Sequence, residues 1–317
     1  MSRYIIVAII LFLIASCDNK QKEFVDVSNI NVEVKIDRFD QQFYNATALD
    51  LSELKAKYPY LFPSNNPDSV WVNKIKNEQE LFQNAENVFG DFNSEKATLR
   101  HLFKHVKYYH PTFKEPKILT LITDLDYRNK VIYADSLLLV SLDMYLGMDN
   151  EVYKDFPKYL SKSYSKEYLQ IDVAKEIADN YLIPERNRQF LTTLINQGKK
   201  MYLINSYLPL IKNENIIEYT LEEYLWATEN EQMIWKYFIE NKLLYSTDSG
   251  LYERFIANAP FSKFYIDIDK ESPGKIGVFI GWQIVKAYMN NNNVTLHQLL
   301  QTNAETIFKN SKYKPKK

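Results

Sequence analysis

Four histidines, one cysteine and a scatter of carboxylates are the side chains through which this sequence could do chemistry. His101 and His105 stand four apart on a predicted helix, the spacing that brings two imidazoles to one metal in an H-E-x-x-H helix. Such a helix also needs a carboxylate beside the first histidine as general base. Here that position holds Leu102, and Lys104 adds a repelling charge, so the pair reads as a helix surface near a sheet. His110, before Pro111, reads as a cap residue, and His297 lies on the last predicted helix with no partner in view. Asp124 and Asp126, with Asp135 and Asp143 nearby, offer a carboxylate cluster, but they fall where short apolar runs end, which is the setting of strand-end turns. Gly274, Gly277 and Gly281 do not follow a strand, as a phosphate-cradling G-x-G-x-x-G must. Gly277 and Gly281 instead sit one helical turn apart, where they let another element pack closely. No G-x-S-x-G is present. The aromatic groups Tyr108-Tyr109, Trp226, Trp235-Tyr237-Phe238 and Phe261-Phe264-Tyr265 read as core. These residues define no catalytic, cofactor-binding or metal site and no small-molecule ligand.

The lone cysteine is the informative residue. Arg3 precedes an apolar run of 11 residues, Tyr4 to Ile14, which then closes Ile14-Ala15-Ser16-Cys17. A bilayer span needs about 20 apolar residues, so the run is a signal-peptide h-region. Its end resembles the lipobox of bacterial lipoproteins: an aliphatic residue, two small residues, then the thiol that takes the lipid. Residues 1–16 are expected to be a lipoprotein signal peptide, Cys17 the acylated first residue of the mature chain, and 17–30 a polar tether. Each acyl methylene buried in the membrane adds about 0.8 kcal/mol.

The elements that must position any site fill the remainder, 31–317. At 317 residues, 46% hydrophobic and 15% aromatic, the chain can bury a large core. With 39 basic against 40 acidic residues there is no basic field to bind nucleic acid. Val32, Val34 and Ile36 alternate with charged residues, which predicts a first strand. Apolar runs at Ile118–Thr123, Val131–Ala134 and Leu137–Leu142 predict the rest of a small sheet. Between them lie helices: one after Asp50 or Ser52, one from Asp68 to Gly90, one capped by Ser94 and ended by His110-Pro111. From Phe156 onward the pattern is helical, with spans predicted at Lys166–Leu182, Arg186–Tyr207, Thr220–Ala227, Glu231–Leu244, Asp248–Ala257, Ile276–Asn290 and Thr295–Lys309. The expected fold class is α+β and mostly helical: a small mixed sheet in the N-terminal half (31–150) and a helical C-terminal half (151–317). No linker divides the two, so one domain is expected.

Particular strings carry a family resemblance: Trp235-Lys236-Tyr237-Phe238-Ile239-Glu240, Leu244-Tyr245-Ser246-Thr247-Asp248-Ser249, Pro260-Phe261-Ser262-Lys263-Phe264-Tyr265, Glu271-Ser272-Pro273-Gly274 and Ile280-Gly281-Trp282-Gln283-Ile284-Val285, closing on Asn291-Asn292-Asn293-Val294-Thr295-Leu296. Through them the chain resembles the gliding-motility lipoprotein family GldB of the Bacteroidetes. The resemblance implies an envelope lipoprotein needed for gliding, held outside the cytoplasm in the cell or outer membrane by acylated Cys17 and partnered by other envelope proteins of the machinery. A more distant resemblance is to zincin-type metallopeptidases, which order a small sheet, an active-site helix and a helix with a third ligand. The active-site helix would be Lys166–Leu182, yet it reads Ile171-Asp172-Val173-Ala174-Lys175-Glu176-Ile177-Ala178-Asp179 with no histidine, and the Glu-Gly of the third ligand is replaced by Gln197-Gly198. The imidazoles that select zinc are missing. The resemblance then implies a degenerate peptidase scaffold and a non-enzymatic structural or adaptor part. The alternative is an envelope hydrolase acting on peptide or glycan through Asp172, Glu176 or Asp179. Cys17→Ser is expected to accumulate unprocessed precursor; mass spectrometry of a mature chain that begins elsewhere, with Cys17 unmodified, contradicts the lipid assignment.

Overall fold

The computed structural model describes residues 25–134, 136–183 and 185–315. The predicted signal peptide, Cys17, most of the tether and Asp135 lie outside the described residues. Four short strands form one mixed sheet: β1 (Ile36–Asp37), β2 (Lys117–Leu121), β3 (Val131–Ala134) and β4 (Leu137–Ser141), ordered β1-β2-β4-β3. β1 is parallel to β2 and β2 to β4, while β3 folds back antiparallel on β4. Ile118, Leu119, Leu138 and Val140 are fully buried, which is why these strands read as apolar runs. The strand expected from Val32 is only the two-residue β1. It lies at the sheet's edge, pairs only with Ile118 and Leu119, and gives way to a helix at Phe39.

Helices make up most of the chain, and the later half is helical as expected. Those that matter below are α1 (Asn93–Tyr109), α2 (Leu169–Asp179), α3 (Phe190–Tyr207), α4 (Leu221–Glu229), α5 (Ile276–Asn291), α6 (Leu296–Gln301) and α7 (Ala304–Ser311). The Thr220–Glu223 capping box opens α4 as the sequence predicts. α2 is shorter than its prediction because Lys166–Tyr168 forms a tighter 3-10 turn. α3 starts at Phe190 rather than Arg186, since the first-turn amides of Phe190 and Leu191 donate to the carbonyls of Ser246 and Leu244, at 2.9 and 2.8 Å. Glu231–Glu240 and Gly250–Phe255 are likewise shorter than expected.

Two predicted helices are each broken in two. The span from Asp68 to Gly90 is Asp68–Asn77 and Gln79–Phe89, interrupted at Glu78, whose carboxylate accepts hydrogen bonds from the Tyr44 hydroxyl and from Lys74. The span Thr295–Lys309 is α6 and α7. The buried Lys199 donates to the carbonyls of Thr302 (2.6 Å) and Leu300 (3.4 Å) at the end of α6, and Asn303 caps α7 by accepting from the Thr306 amide.

One contiguous apolar core runs from Val34 to Ile307. At its centre α3 crosses α5 at close range. A Cβ on Gly281 would collide with the Leu194 carbonyl, and one on Gly198 with the Gly281 carbonyl. Gly277, too, faces the Phe255 carbonyl, so the glycine spacing serves close packing as the sequence indicated. In Gly281→Ala the gain in helix propensity is about 1 kcal/mol. Overpacking against a rigid backbone costs about 1–3 kcal/mol or more. The expected outcome is net destabilisation, read as a lower denaturant midpoint with an unchanged slope; an equal or higher midpoint contradicts the close crossing.

Candidate functional site

Five charged side chains from four separate segments meet in the interior. Lys130 stands just before β3, Asp172 and Lys175 lie on α2, Glu218 follows the short helix Asn213–Ile216, and Lys275 is the N-cap of α5. Lys130 Nζ is 2.5 Å from Asp172 Oδ2, and Lys175 Nζ bridges Asp172 Oδ1 (2.9 Å) and Glu218 Oε1 (2.6 Å). Lys275 Nζ donates to Glu218 Oε2 at 3.0 Å and to the Ile217 carbonyl at 3.0 Å. The buried Tyr145 hydroxyl completes Asp172 by donating to Oδ2 at 2.9 Å. Lys130 also lies 5.6 Å from the ring centres of both Tyr145 and Tyr164.

The electrostatics follow from burial and count. Burial pushes the Asp172 carboxyl up, but Lys130 and Lys175 outweigh it and hold it below its ordinary value. Burial acts the same way on Glu218, and Lys175, Lys275 and Lys130 overcome it, leaving Glu218 well below. Lys175 is raised, since Asp172 and Glu218 outweigh its burial, whereas burial dominates at Lys275 and lowers it. Glu218 and Lys275 both hold left-handed backbone, each with φ of 58°. Phe92, Asp124, Leu125, Lys242, Tyr265 and Lys312 share such backbone, so it does not set the cluster apart.

The cluster floors a cleft. Lys130, Glu218 and Lys275 line a cavity of about 430 Å³ together with Tyr159 and Tyr164. Beside it lies a second cavity of about 610 Å³, lined by Tyr153, Phe156, Lys162 and Glu223 among others, and Tyr159 belongs to both. Lys162 Nζ pairs with Glu223 Oε2 at 2.5 Å. The arrangement fixes positive charge beneath aromatic walls, and it leaves both cluster carboxylates neutralised.

A family model described as gliding motility protein GldB matches residues 20–315. The chain belongs to the GldB family. The match begins after Cys17 and spans all the described residues. No curated protein and no solved structure matches the chain. Among the described residues of this GldB family member no helix is long and apolar enough to cross a membrane, and no group of three or more potential metal ligands occurs.

The residues singled out in the sequence take other places. His105 is buried rather than on a helix surface, its Nδ1 3.0 Å from the His101 carbonyl, while His101 is exposed with its ring 4.6 Å away. His110 is the C-cap of α1, stacks on Tyr181 and lies 2.6 Å from the Tyr207 hydroxyl; burial lowers it to about 4. His297 has a partner in Gln301, at 2.8 Å, and its helix is α6, not the last. Among the described residues, Asp124, Asp126 and Asp143 belong to no group of three or more potential metal ligands. Asp143 accepts from the Thr123 and Leu125 amides, and its burial raises it to about 6. Asp126 accepts from the Arg128 amide and Asn129 in its own turn. On α2, Asp172 is in the ion cluster and Asp179 pairs with Lys200. Glu176 is half-buried, and burial, then Asp179, raises it. Gly198 is spent on the α3–α5 contact. Phe238 and Phe264 are core, but Tyr108 and Tyr265 face outward.

Lys130, Glu218 and Lys275 were not singled out, and no local pattern marks them. Only the Asp172–Lys175 spacing is visible in the chain. Removing one partner of a buried charged set costs about 3–5 kcal/mol, so Asp172→Asn is expected to lose that order of stability at pH 7. Asp172 and Glu218 lie lower folded than unfolded, so the unfolded chain binds more protons across that window. Their contribution is full above about pH 4 and is lost as pH falls through the folded values. The melting temperature of the wild type should drop steeply below pH 4 and that of Asp172→Asn less so. Equal acid limbs, with unchanged stability at pH 7, contradict the cluster's role.

Proposed function

We propose that this GldB family member is an envelope lipoprotein of the gliding apparatus that works by holding partners rather than by catalysis. Acylated Cys17 anchors it outside the cytoplasm in the cell or outer membrane, residues 17–30 serve as tether, and 31–317 act as one folded body. Its partners are the membrane and other envelope proteins of the machinery. The observation that carries the non-catalytic reading is the pairing of Asp172. A general acid–base pair needs carboxylates in reach of substrate with protonation suited to proton transfer. Asp172 is held ionised between Lys130 and Lys175, and Asp179 is tied to Lys200.

In this reading the scaffold is a degenerate zincin type. The order of mixed sheet, then α2 packed on β3, then α3 supports it. The ion cluster then takes the place of a metal beside α2. The test is genetic and enzymatic together. Cells carrying Glu176→Gln with Asp179→Asn are expected to glide normally, and the purified chain is expected to cleave neither peptide nor glycan. Loss of gliding in that double variant at wild-type protein level, matched by a hydrolytic activity lost in vitro, establishes the hydrolase instead.

A further inference from the structure

We propose that the cleft is a binding groove for a carboxylate-bearing glycan strand, with one sugar-acid carboxylate seated between Lys130 and Lys275 and neighbouring rings against the tyrosines. The proposal builds on the non-catalytic reading of the same cleft.

Size comes first. The cavities of about 430 and 610 Å³ adjoin at Tyr159, so the groove accommodates a chain of linked units rather than one small molecule. Charge comes next. Three half-buried lysines face two carboxylates, which leaves one positive charge in excess within the cluster. Lys130 and Lys275 border the cavity, with Arg128 at its exposed rim. A single carboxylate balances that excess. A phosphate dianion overshoots it and meets Glu218, which lines the same cavity. Burying a charge without its counterpart is costly, so the site favours a monoanion.

The walls favour sugar over peptide. Tyr127, Tyr159 and Tyr164 supply aromatic faces, and Ser163 and Asn258 supply hydrogen-bonding groups beside them. Sugar rings offer C–H faces to the first and hydroxyls to the second. A bound peptide gains most from a strand edge, and no residue of β3 lines either cavity.

Calorimetry of the full-length chain in detergent tests the proposal, with tetragalacturonate as probe and its methyl ester and tetraglutamate peptide as controls. The expected result is binding of tetragalacturonate with Kd below ~1 mM, at least tenfold weaker binding of both controls, and at least tenfold loss in Lys275→Met. Since Lys275→Met leaves Glu218 short of a partner, the rim variants Arg128→Ala and Tyr159→Ala, away from the cluster's pairs, are measured alongside and are expected to weaken binding several-fold. No binding of the tetramer, equal binding of its ester or of the peptide, or undiminished binding in both rim variants overturns the proposal. Cleavage of the bound tetramer bears out the groove while refuting the non-catalytic reading.

Discussion

Beside the apolar core that joins sheet and helices, one cluster of ion pairs ties four segments of this protein together. Lys130 at the start of β3, Asp172 and Lys175 on α2, Glu218 in a turn and Lys275 at the start of α5 come together with little access to water, their side chains at most 18% exposed. Such a set gains little over apolar packing, because desolvation offsets the Coulomb attraction, but each member is costly to remove alone. Four segments far apart in the chain are thereby held to one geometry. Two supports keep the members in place. The Asp143 carboxylate grips the amides of Thr123 and Leu125, two and four residues past the end of β2, and so fixes the loop that leads to Lys130. The close approach of Gly198 and Gly281 seats α5 on α3 and so fixes Lys275 at its head.

What the sequence disclosed follows from the range of each interaction. The strands β2 and β4 were legible because most of their side chains are buried as runs, and β3 because its residues are apolar although only Val131 is buried. The capping box of α4 was legible because Thr220 and Glu223 are neighbours in the chain. Breaks at Glu78 and Thr302 were not legible, since each depends on distant groups: Tyr44 in one case, Lys199 in the other. The two-residue length of β1 depends on its place in the sheet, not on its own alternation. The site was the least legible part. Asp172 and Glu176 stand four apart in the sequence, among the carboxylates a hydrolase would use. Folding sends the first into the ion cluster, through Lys130, and leaves the second half-buried beside Asp179.

The family match and the geometry bear on different halves of the account. Membership in the GldB family says which cellular process the chain serves. The cleft says what kind of work it is built for. Its two carboxylates are held by three lysines, and the proposed anion would balance the one positive charge that count leaves over. In the proposed role, a tethered body with such a groove joins the membrane to an acidic polymer without altering either.

The most direct measurement is gliding itself, in cells whose only copy carries Arg128→Ala with Tyr159→Ala. Both substitutions lie at the rim of the cleft and leave Cys17 and the ion pairs of the cluster untouched. The account predicts a chain that is processed, sits in the envelope at wild-type level and fails to support spreading. Normal spreading of these cells contradicts it.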